Sequence, residues 1–169
     1  MLTYALMSVL VLLTAPPTSQ LASLPPDPGK AEIRRVIDEF LKSPAKDDRA
    51  GKIMKFAQDS EDVSIVLDDQ VLSWMTHRPK YEQADLLMAV FVAGDVRSQL
   101  DSGKNADDSY AGLQEVFRIY REMQQNQAGL KLPEIDALIE KDKAGTLKPF
   151  LADRAAAHRQ PVGTQPSGR

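Results

Sequence analysis

Two histidines, His77 and His158, are the side chains of this 169-residue chain best placed to move protons near neutral pH. His158 begins the polar stretch HRQPVGTQPSGR, where a mobile tail would leave it without fixed geometry. His77 stands in Trp74-Met75-Thr76-His77-Arg78-Pro79-Lys80, a turn rich in cations. The plain reading is an exposed turn histidine. The functional reading is a small ligand-binding pocket floored by Trp74, His77, Arg78 and Tyr81.

Serine chemistry needs a base and an orienting group beside the nucleophile. No G-x-S-x-G elbow is present, and two scattered histidines do not supply a triad. One S-x-x-K match occurs, Ser43-Pro44-Ala45-Lys46. In penicillin-recognising enzymes that lysine helps activate the serine, but they also carry S-D-N and K-T-G elements. The first is absent, Lys143-Ala144-Gly145 only approximates the second, and Pro44 reads as a helix break.

Carboxylates come next. Glu61, Asp62, Asp68 and Asp69 bracket an apolar run. A glycosidase-type pair must face one cleft, with one member in an apolar setting. Nothing in this spacing requires that, so capping and solvation are the expected roles. The loop from Asp101 to Asp108 resembles a calcium loop, yet it has Ala106 where glycine is required and Gly112 where a bidentate glutamate belongs. There is no P-loop and no cysteine, which removes disulfides, thiol catalysis and zinc–thiolate sites. No cofactor, no metal and no catalytic residue is assigned.

These residues must be positioned by helices. Ile33, Val36, Ile37, Phe40 and Leu41 share one face of a first helix that starts at Asp27-Pro28 and ends near Ser43-Pro44. Asp47 or Asp48 caps a second, with Ala50, Ile53, Met54 and Ala57 inward. Residues 63–67 fit a helix or a short strand; helix is preferred, because a strand has no partner elsewhere. A short helical piece follows around Val71–Met75, ended by Pro79. Leu86 to Gly94 is apolar or small throughout, which predicts a central buried helix over 81–101 with Ala89, Ala93 and Gly94 admitting a close neighbour. Tyr110, Leu113, Phe117 and Tyr120 form the facing stripe of the next helix. Leu132-Pro133 opens another, Gly145 ends it, and a last helix begins near Leu147. The expected fold class is all-α: a compact bundle of about five to seven short helices around a central helical hairpin.

The first 26 residues carry no charged side chain, and Leu2–Ala15 is mostly apolar. Fourteen helical residues reach about 21 Å, short of a bilayer's ~30 Å core, so a signal peptide fits better than a membrane span. The expected organisation is a leader at 1–22, a Pro-rich linker at 23–29, a helical domain at 30–157 and a mobile tail at 158–169. A formal charge of −3 gives no basic face for nucleic acid. Membrane contact is expected only through the leader.

The resulting expectation is an exported protein, periplasmic or secreted, that binds a protein or peptide, with no enzymatic activity assigned. The alternatives are a carboxylate-based enzyme on an all-helical scaffold and a structural subunit of a cell-envelope assembly. An enzyme should show a polar pocket with convergent ionisable groups. A binding module should show an apolar patch of several hundred Å². A structural subunit should self-associate.

Overall fold

A computed structural model describes residues 28–80 and 82–159. The leader, nearly all of the Pro-rich linker and the last ten residues of the tail lie outside the described residues. The architecture is all-helical and compact. Among the described residues six α-helices run in chain order: α1 (Pro28–Lys42), α2 (Asp48–Asp59), α3 (Ala84–Ser102), α4 (Ser109–Asn126), α5 (Pro133–Lys143) and α6 (Leu147–Arg159). A 3-10 helix, Ser73–Lys80, lies between α2 and α3. No helix among the described residues is long and apolar enough to cross a membrane.

The α3–α4 hairpin is the heart of the bundle, as the apolar run predicts. α3 buries Leu87, Val90, Phe91, Ala93 and Val96 completely. α4 answers with Leu113, Val116, Phe117 and Tyr120, also wholly buried. Small residues set how closely they pack. A Cβ on Gly112 would stand 2.7 Å from the Phe91 carbonyl oxygen, and one on Gly94 3.0 Å from that of Ala111. Neither position has room for a side chain, so the two backbones touch.

α1 and α2 pack against one side of this hairpin, burying Ile37, Phe40, Leu41 and Ile53. Asp47 caps α2 by accepting from the Arg49 N–H at 3.0 Å. Arg49 ties the α1–α2 corner further by donating to the Glu39 and Ser43 carbonyls. α5 and α6 close the other side. Tyr120 Oη accepts the buried Leu132 N–H at 2.9 Å, which fixes the entry to α5. Gly145, at φ 71°, makes the left-handed exit from α5 that a side chain would oppose.

Three expectations need correction. Residues 63–67 are neither helix nor strand. Their backbone is bonded by side chains instead: Ser64 N–H donates to Gln99 Oε1 at 2.9 Å, Gln99 Nε2 donates back to the Ser64 carbonyl at 2.8 Å, and Val66 N–H donates to Asp107 Oδ1 at 2.7 Å. Residues 64 and 66 thus face the same way, the alternation of extended chain, so the β-branched run is satisfied without a partner strand. Pro79 does not end the piece after it, because the 3-10 helix continues through Lys80. Finally, α6 runs to Arg159, past the predicted end at 157, because Arg154 and His158 both bind one buried carboxylate.

Candidate functional site

Burial of polar groups marks the site. Among the described residues the buried polar side chains are Asp68, Asp95, Gln99 and Ser109. Buried charge is costly unless paired, so each must be explained by its partners. All four lie where the 63–72 segment and the α3–α4 turn meet, with α6 across from them.

Asp68 is 2 % exposed. Its Oδ1 accepts the backbone N–H groups of Gln70 and Val71, shaping the turn that leads to the 3-10 helix. Its Oδ2 accepts two bonds from Arg154, at 2.7 and 2.9 Å, and lies 2.8 Å from His158 Nε2. Burial alone would push this carboxyl up. Donation from Arg154, then His158 and the two N–H groups, outweighs it and holds Asp68 well below the usual carboxylate range. The arrangement orients the imidazole of His158, whose side chain keeps 45 % exposure.

Asp95 sits inside α3 and is wholly buried. Its Oδ1 accepts from Gln99 Nε2 at 2.7 Å and from the Asp108 N–H at 2.9 Å. Its Oδ2 has no donor among the described residues. The carboxyl of Asp107 faces it. Burial, reinforced by that neighbouring charge, pushes Asp95 up to about 7 against the opposing donations of Gln99 and Asp108. Asp107 in turn accepts from Val66 N–H and from Ser109 Oγ, the latter at 2.7 Å. Asp108 caps α4 through the Ala111 N–H at 3.1 Å and accepts from Ser98 Oγ.

A cleft opens beside these groups, its surface more apolar than polar with charged side chains set into it. One part, about 350 Å³, is lined by Ser64, Val66, Asp107, Ala155, His158 and Arg159. A second, about 200 Å³, shares Asp107 and Ala155 and reaches Asp108, Tyr110 and Lys148. Lys148 Nζ stands 4.4 Å from the centre of the Tyr110 ring. The walls therefore differ in sign: Asp107 and Asp108 on the turn, and Lys148 and Arg159 on α6. Leu67, 52 % exposed, is the large apolar side chain that stands out on the described surface. One such residue does not make an apolar patch of several hundred Å².

Of the ligand-pocket residues singled out in the sequence, Trp74 alone has a described side chain. Trp74 is wholly buried in the core, and its indole N–H has no acceptor among the described residues. His77 and Arg78 contribute backbone to the 3-10 helix; their side chains, and Tyr81 altogether, lie outside the described residues. The S-x-x-K residues are engaged separately, since Lys46 Nζ donates to the Glu82 carbonyl at 2.7 Å and the Ser43 carbonyl accepts from Arg49. Of the four bracketing carboxylates, Asp68 alone is buried; Asp62 pairs with Lys30 at the surface. No group of three or more metal-ligating side chains is present among the described residues.

Two groups escaped the sequence reading, the Asp95–Asp107 pair and the Asp68–Arg154–His158 cluster. One local signal pointed to the second. Arg154 and His158 are four apart on α6, hence on one face, and two adjacent cations want an anion between them. Neither a protein-family model nor a curated protein nor a solved structure matches this chain.

Proposed function

We propose that this is the binding domain of an exported protein and that the cleft between α6 and the 63–67 segment takes a polar, charged peptide. The observation that carries this reading is the cleft's opposed charge. Acidic groups on the turn face basic groups on α6 across a space of ligand size. A peptide carrying both signs of charge complements both walls. Export rests on the uncharged, apolar start of the chain.

Selection from a random peptide library, against the intact protein and against Ala155→Trp, tests the reading. Ala155 lines both parts of the cleft, and a tryptophan there would fill it. Peptides enriched on the wild type and lost on a folded Ala155→Trp variant are expected. Enrichment that ignores the substitution, or none at all, overturns it.

A second reading has its own observation. His158 is oriented by a buried carboxylate and lines the cleft beside Ser64, an arrangement suited to a general base. Hydrolysis of a small ester panel that falls away in His158→Gln, without loss of fold, would favour an enzyme over a binding module.

A further inference from the structure

Asp95 is an unusual residue to find wholly inside a helix–helix interface, and its two oxygens are treated differently. Among the described residues, Oδ1 has two donors and Oδ2 has none. A carboxylate oxygen buried without a donor carries the full desolvation cost of its charge. A protonated oxygen reverses the requirement, because it needs an acceptor, and the carboxylate of Asp107 faces it. We propose that Asp95 holds a proton on Oδ2, shared through a hydrogen bond with Asp107, and that losing it frees the Val66 N–H from Asp107 and loosens the cleft wall.

The connection to the segment is direct. Asp107 Oδ1 holds the Val66 N–H, and Asp95 holds Gln99, whose amide makes both bonds to Ser64. With the proton present, the side chains of Asp95, Asp107 and Gln99 and the backbone of Ser64 and Val66 form one continuous set of donors and acceptors. Without it, two carboxylates face each other at the edge of the core. Asp107, only half-buried, is the one that can turn toward water in the cleft. Its departure leaves the Val66 N–H without its acceptor, while the Ser64 bonds to Gln99 and the buried Val63 side chain keep the start of the segment in place. The raised titration of Asp95 agrees with this, and burial is its chief cause.

The surrounding charges do not substitute for the proton. On the turn, Asp108 adds another negative charge, engaged with Ser98 and Ala111. On the segment, Asp68 is paired with Arg154 and hydrogen-bonded to His158, both from α6. Lys148, His158 and Arg159 stand across the cleft on the outer side of Asp107. From α4, Ser109 donates to Asp107 but not to Asp95.

Control of ligand access rests on the peptide-cleft reading; the shared proton does not. The test is therefore made on the ligand-free protein. In uniformly 13C,15N-labelled protein, the Asp95 side-chain carboxyl carbon and the Val66 amide are followed by NMR from pH 5 to pH 9. Both should shift with one common midpoint near 7, and Asp95→Asn should abolish the Val66 step. An Asp95 carbon that shows no step across this range overturns the proposal, and so does a Val66 amide that stays flat while Asp95 titrates. The wild-type titration decides even if the variant does not fold. Failure of the peptide selection would leave this titration untouched, so the two readings fail separately.

Discussion

Asp68 Oδ2 and His158 Nε2 stand 2.8 Å apart although ninety positions separate them in the chain. With Arg154 they pin the last turns of α6 onto the segment that follows α2. A carboxylate that is 3 % exposed, with a cation 29 % exposed, is the most buried ion pair described.

Replacing Asp68 by Asn keeps its size and removes the charge. The expected cost is about 2 kcal/mol, below the figure for a fully buried pair because Arg154 retains access to water. Chemical denaturation measures it, and Asp69→Asn, at an exposed neighbour, should change stability by no more than about 0.5 kcal/mol. The pH dependence follows from a carboxyl held below its unfolded value. Its contribution is present above about pH 4 and is lost as pH falls further. Hydrogen exchange of the α6 amides should accelerate in acid before that of α3.

Asp95 has the opposite sign. Its carboxyl is raised to about 7, so the folded protein binds a proton that the unfolded chain has released above about pH 4. Its stabilising contribution is complete below pH 4 and lost as pH rises to about 7. Asp95→Asn, which keeps an oxygen for Gln99 and Asp108 and places an N–H where the proton was, should stabilise the domain at pH 8 by a few kcal/mol. The gain should shrink toward pH 4. Denaturation curves at pH 4, 6 and 8 test this, and a variant less stable than wild type at pH 8 would contradict it.

Gly112→Ala should destabilise by about 2–3 kcal/mol, because its Cβ would lie 2.7 Å from a backbone oxygen that cannot move without shifting α3. Gly51→Ala is the matched opposite. It lies within α2 with nothing inside 4 Å of the new Cβ, so it should stabilise by about 0.5–1 kcal/mol. Thermal unfolding of the pair should bracket the wild type.

Tyr120→Phe removes one hydroxyl and leaves the buried Leu132 N–H without its acceptor. A cost of about 1–3 kcal/mol is expected, larger than a typical lost hydrogen bond because the donor stays buried. Urea midpoints report it directly.

Much of the fold was legible because its signals are local. The apolar stretch Leu86–Gly94 announced a buried helix, the Asp47-Asp48 pair the start of α2, and Gly145 the exit from α5. Residues 63–67 were misread because their backbone partners lie 35 and 41 positions away, on side chains rather than a strand. No periodicity records that. The cleft was harder still. Trp74 looked like a pocket residue because aromatic side chains serve sites and cores alike, and here the core claimed it. Asp95 was hidden inside the most apolar helix, where its burial followed from its neighbours rather than from its own type.

The clamp on Asp68 also sets an order of events during synthesis. Asp68 is made 86 positions before Arg154. At roughly 5–20 residues per second, the carboxylate waits about 4 to 17 seconds for its cation. Until the last helix has left the ribosome, the turn at Asp68 lacks its counter-charge and the cleft lacks its basic wall. The hairpin can form early, but the candidate binding surface is the last part of the domain to exist.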